Sequence, residues 1–227
     1  MSDNNQTTEE GTTKVPQVSK PAKELTAQEQ TKFTKIEESI ATLTPAGFVY
    51  KEKLWSSLYV NVLMSAIWLL FIVVFAPLFI WVNGLDALLK ITLAKYIIFF
   101  ITLIASIFVH EGLHALGWII ATPGIAKNIK FDFIARTFTP CCYTYTPMKF
   151  RAFMVGTFMP FLVLGLIPTI LGIITGEVFF LAFGLTNIGC AGGDLLYAIT
   201  LRHTKPDADI VLVDHPTQFG YVCLIKE

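Results

Sequence analysis

Polarity divides the chain into unlike parts. Residues 1–57 are polar, and almost all the apolar surplus lies between 58 and 201. Four apolar runs stand out there, at about 58–82, 91–121, 152–175 and 178–201. A helix needs about 20 residues to cross a hydrocarbon core, so each run predicts one transmembrane helix. The second run is long enough that it must tilt, kink or project from the bilayer. Only Gly176 and Glu177 separate the third from the fourth, which predicts a tight helical hairpin.

The polar flanks carry weaker patterns. Residues 1–23 are rich in Asn, Thr, Lys and Glu without an apolar period, and predict disorder. Thr26 followed by Glu29 is a capping-box start, and Phe33, Ile36, Ile40 and Leu43 then follow a helical stripe. This predicts an amphipathic helix over about 26–43, lying on the membrane domain or on the bilayer surface. In the insert 122–150, Ile129, Phe131 and Phe133 alternate with polar residues ahead of a run rich in Thr, Tyr and Pro. Residues 129–146 therefore predict one or two strands. The tail 202–227 holds another strand pair at 210–225, broken at 214–216. The expected fold class is a mainly α membrane protein. Four transmembrane helices occupy 58–201, with a small cytoplasmic β region and a polar N-terminal extension at 1–57, disordered and then helical.

Composition agrees with a membrane domain. The chain is 54% hydrophobic and 15% charged, against about 45–50% and about 25% in soluble domains. Net charge is zero, so nothing points to nucleic acid. Cys141, Cys142, Cys190 and Cys223 form no CxxC pair, which argues against a disulfide framework or a cysteine zinc site. The first apolar run begins too late for a secretory signal, so the first helix is expected to direct insertion. Basic residues gather at 122–151 (Lys127, Lys130, Arg136, Lys149, Arg151), beside Lys51 and Lys53, and at Arg202 and Lys205, while the 83–94 connection has only Lys90. The positive-inside rule then puts both termini in the cytoplasm.

One motif carries chemistry. His110-Glu111-Gly112-Leu113-His114 is an HExxH sequence inside the second apolar run. Its i, i+4 spacing puts both imidazoles on one helical face, where they can hold one Zn²⁺. Glu111 can act as general base toward the attacking water. Ionisable side chains in an apolar span are costly unless they have partners; the competing reading is a polar patch satisfied by neighbouring helices without metal.

Two histidines leave tetrahedral zinc short of a protein ligand. Asp194 is the only acid within the fourth run. At 1.5 Å per residue, His110 and His114 lie about 22 and about 28 Å from Lys95, and Asp194 about 25 Å from Glu177. If the outer helix ends are level, the acid falls between the histidines in depth. Gly192 and Gly193 would let the fourth helix approach the second. The alternative for Asp194 is an acid capping a helix end or pairing with Arg202. Asn187 shares a face with Asp194 one layer outward and could donate to a substrate carbonyl or oxyanion, or simply bond between helices.

HEGLHALGW, a Pro-bearing third span, the Asn187…GGDL run and the terminal DHPTQFGYVCL resemble the zincin peptidases, a family of bacterial membrane proteins, over roughly 95–225. That family is similar to the site-2 proteases, which cut peptide bonds within or beside membranes. The resemblance implies zinc on His110, His114 and Asp194, Glu111 as base, a protein or peptide substrate, and a bacterial cell membrane location. Asn187 to Asp194 departs from the NxxPxxxLDG run of site-2 proteases in lacking the Pro, in having Gly before the Asp, and in being one residue shorter.

The expected reaction is zinc-assisted peptide hydrolysis. A helical substrate must be locally extended before attack, and strand 129–146 could pair with it by edge addition. Two other readings remain: a non-catalytic membrane protein with a structural metal, and an interaction or regulatory subunit acting through its N-terminal segment.

Overall fold

The computed structural model describes residues 16–22, 24–89, 91–134, 139–203 and 209–226. The strand region therefore has its residues 135–138, Arg136 among them, outside the described residues, as are Lys90, Lys205 and the expected disorder of 1–15. Helix α1 spans Ala27–Leu43, and its start is the capping box: the Glu29 amide donates to Thr26 Oγ1 (3.2 Å) and the Thr26 amide to Glu29 Oε2 (2.9 Å).

Three apolar helices follow. Helix α2 is Ser57–Asn83 and α3 is Leu93–Ala121. The third, Phe150–Thr175, consists of α4 (Phe150–Pro160), a π-helical stretch at Phe161–Leu166 and α5 (Ile167–Thr175). Each is long and apolar enough to cross a membrane, and the most apolar windows of α2 and α3 are almost uncovered by the rest of the protein. Leu58, Trp81 and Leu93 are more than 70% exposed; apolar surface on that scale marks a face for an apolar partner, protein or lipid.

The fourth run is broken. Helix α6 (Val178–Cys190) and α7 (Gly192–Leu201) meet at Ala191 with a 56° bend, so the pair counts as a span only if the two are taken together. The break puts Asp194 in the first turn of α7, where unpaired backbone N–H groups favour a carboxylate. At the far end of the bundle, the turn between α5 and α6 bends through Gly176 at φ 70°. Lys95 Nζ there pairs with Glu177 Oε2 at 2.6 Å, tying the start of α3 to the start of α6.

The β strands build two units. Strands β2 (Ile129–Ile134) and β3 (Thr139–Thr144) form an antiparallel hairpin. The second sheet has the order β1-β6-β5-β4, from β1 (Phe48–Leu54), β4 (Met148–Lys149), β5 (Ile210–Asp214) and β6 (Gly220–Lys226), with all pairs antiparallel. Phe48 faces Lys226 across β1–β6, so the N-terminal extension and the C-terminal tail are one structure. The sequence carries little signal for β1, because Lys51 and Lys53 occupy one face of a seven-residue strand and Glu52 interrupts the other.

The stripe of α1 is covered by this sheet. Phe33, Ile36 and Ile40 pack with Val213, Val222, Leu224 and Val18. Within the run expected to be disordered, residues 16–22 lie against this layer: Val18 is 2% exposed, and Ser19 donates its amide to Glu52 Oε2 and accepts from His215 Nε2. His215 Nδ1 accepts from the amides of Thr217 and Gln218, so one ring organises the β5–β6 turn and holds the segment around Ser19.

Candidate metal centre

The HExxH residues lie in the half of α3 that packs against α4. One side of that contact has almost no side chains. A Cβ on Gly117 would stand 2.6 Å from Gly156 Cα, and one on Gly156 would collide with the Trp118 indole. Backbones therefore meet closely, and His114 Nδ1 reaches the Gly156 carbonyl at 3.0 Å. As a donor, Nδ1–H leaves the lone pair on Nε2. Trp118 stacks on the same ring with centroids 5.9 Å apart.

Helix α7 supplies the acid from the other side. Asp194 Oδ2 lies 3.2 Å from His110 Nε2, and Oδ1 lies 3.5 Å from His114 Nε2. One ligand atom from each of the three residues can be chosen so that all lie within 4.8 Å of one another. Tetrahedral zinc with bonds of about 2.0–2.1 Å separates its ligand atoms by about 3.3 Å. The chemistry of the donor set also suits a cation. The His114 tautomer turns a lone pair toward a carboxylate, and Asp194 Oδ2 is buried without a hydrogen-bond partner among the described residues. With Nδ1 donating, His114 Nε2 and Asp194 Oδ1 face each other as two acceptors at 3.5 Å, an arrangement that a metal ion or a shared proton resolves. The residues present thus fit a zinc ion.

Glu111 is held from a different element. Its Oε2 accepts the backbone N–H of Cys142 in β3 at 2.7 Å. A carboxylate has two oxygens, so this bond fixes the group while engaging one of them. Asn187 is 2% exposed, and its Nδ2 donates to the Phe183 carbonyl of its own helix. Arg202 donates to Ile199 O and to His203 rather than to Asp194. The glycine pair corrects an expectation: Cβ atoms on Gly192 and Gly193 would meet Met64 of α2, not α3. Residues 192 and 194 are about 200° apart on a helix, so an acid aimed at α3 turns Gly192 away from it.

Sequence reasoning missed three supports. The Cys142 amide and the Gly156 carbonyl are backbone groups, with no side-chain signature. Tyr197 donates its hydroxyl to Asp214 Oδ1 (2.9 Å) and approaches Gly220 O (3.1 Å); its place three residues after Asp194 was the available signal. Beside the site runs a cleft of about 520 Å³, lined by 141–145 from β3 and the residues after it, by 214–219 from the β5–β6 turn, and by Trp55, Ser56, Ser57, Lys32 and Ile36. Burial pushes the Cys142 thiol up to about 12, which keeps it protonated.

A family model described as "Putative zincin peptidase" matches residues 103–208. The matched segment contains His110, Glu111, His114 and Asp194. No curated protein and no solved structure matches the chain.

Proposed function

We propose, with the match of residues 103–208 to the "Putative zincin peptidase" family model in support, that this chain is a membrane-embedded zinc metallopeptidase that hydrolyses peptide bonds in or next to the bilayer. The observation that carries the reading is the convergence of His110 Nε2, His114 Nε2 and the Asp194 carboxylate from two separate helices. Zinc held there would polarise the scissile carbonyl and activate water. Glu111 accepts the proton of the attacking water and passes it to the leaving amine. The Cys142 amide keeps Glu111 aimed during that transfer. The ligand set is similar to that of the site-2 proteases.

Membrane seating rests on the apolar belts of α2, α3 and α4–α5. With the sheet and the basic flanks in the cytoplasm, the centre lies in the cytoplasmic third of the bilayer, and both termini are cytoplasmic. The substrate enters as an extended segment along β3. Five consecutive residues, 141–145, line the cleft, as happens when the edge of a strand rather than a face is turned toward it. No step is assigned to Asn187.

The deciding experiment is metal analysis of the purified full chain beside His114→Ala and Asp194→Ala. About one zinc per wild-type chain, lost in both variants, is expected. Wild-type protein without stoichiometric zinc would end the catalytic reading. A Glu111→Gln protein that keeps its biological activity would favour a structural metal.

A further inference from the structure

The terminal DHPT run is left unexplained by peptide hydrolysis itself, and its first residue reaches toward the metal centre. Helix α7 is cut from α6 by the break at Ala191, so α6 does not dictate its direction. It has ten residues and must be aimed by what it touches. On the face that carries Asp194, one turn later, stands Tyr197. Its ring sits in a box formed by Trp55 (centroids 5.2 Å), Phe153 (5.4 Å) and Tyr221 (5.9 Å). Its hydroxyl closes onto Asp214 Oδ1 at the end of β5, and onto Gly220 O at the start of β6. The Tyr197 ring therefore plugs α7 into the sheet, with Asp214 as its latch.

Resting on the metal reading above, we infer that Tyr197 and Asp214 are positioning residues that set the direction of Asp194 and hence the affinity and geometry of the metal site. The C-terminal hairpin is then a working part of the centre. Neither residue touches the ion. Both act through the aim of one short helix, where misplacement of a ligand by a fraction of an ångström weakens binding.

The test uses the full chain in detergent with Co²⁺ as the probe. Tyr197→Phe keeps the ring in its box and removes only the hydroxyl. It is expected to bind Co²⁺ about tenfold more weakly, as lost supporting hydrogen bonds around metal ligands do, with altered visible bands and faster hydrogen exchange at 192–201. Asp214→Asn retains an acceptor oxygen and should restore near-native affinity, whereas Asp214→Leu should behave as Tyr197→Phe. If Asp214→Leu does not fold, the first two variants decide. Native cobalt affinity and bands in Tyr197→Phe overturn the inference. Wild type that takes up no cobalt overturns the metal reading instead, and exchange in the metal-free proteins then judges the latch: equal rates at 192–201 overturn it.

Discussion

His114 Nδ1 lies 3.0 Å from the carbonyl oxygen of Gly156, and that contact exists because α3 and α4 meet through glycine. Gly156→Ala places a methyl group on the Trp118 ring. Overpacking of this kind costs about 1–3 kcal/mol, and it pushes away the carbonyl that orients the ligand. Lower zinc occupancy together with a lower unfolding midpoint is expected, measured by metal analysis and thermal unfolding in detergent. Unchanged zinc content in this variant would mean that the Gly156 carbonyl does not orient His114.

Glu111 is held by a backbone amide rather than by a cation. Glu111→Gln keeps an acceptor for Cys142 N–H and loses the base. Zinc content should stay at the wild-type level while cleavage of a membrane-tethered reporter falls about 10²–10⁴-fold, the usual contribution of general base catalysis.

Burial pushes the Asp214 carboxyl up to about 6, against hydrogen bonding from Tyr197 and the nearby His114, which act to lower it. A carboxyl that is harder to ionise when folded stabilises the fold at low pH, and that contribution is lost as pH rises. The window runs from the unfolded value near 3.8 to the folded value near 6, and the loss across it is about 3 kcal/mol. Asp214→Asn carries no charge to bury. Its stability relative to wild type should therefore increase from pH 4 to pH 6.5 and level off above, read from unfolding midpoints at each pH. A constant difference would show that Asp214 titrates normally.

The packing of α1 and residues 16–22 on the sheet is predicted to be separable from the metal. Ile40 is fully buried against the sheet, and Ile40→Ala should cost about 2–5 kcal/mol. Val18→Asp should loosen residues 16–22. Limited proteolysis will report both, with cleavage between 16 and 46 accelerated and zinc content unchanged. Deleting 1–45 is a harsher change, since it uncovers Val213, Val222 and Leu224, each at most 1% exposed.

The free edge of β3 gives a prediction about substrate. The Cys142 N–H bonds Glu111 and so points away from β2, and strand alternation turns the Thr144 N–H the same way. Thr144→Pro removes that outward donor without breaking a rung to β2. Zinc content should persist while reporter cleavage drops by about tenfold or more, the effect of one or two lost strand hydrogen bonds at about 1 kcal/mol each. Equal cleavage would rule out pairing at this edge.

The apolar runs, the capping box of α1 and the HExxH face could be read directly, because period and length are local properties that any bilayer or neighbouring layer must respect. Asp194 was within reach because both helix ends are near Lys95 and Glu177, which the structure joins by an ion pair. The break at Ala191, the side that Gly192 faces and the joining of β1 to β6 were not legible. Each depends on which distant surface is available to pack against, and a window along the chain does not contain that surface. The supports of the centre were hidden for a further reason. Backbone amides and carbonyls like those of Cys142 and Gly156 occur at almost every residue, so sequence alone determined only which side chains could hold a metal. Tertiary structure decided which backbone groups hold those side chains still.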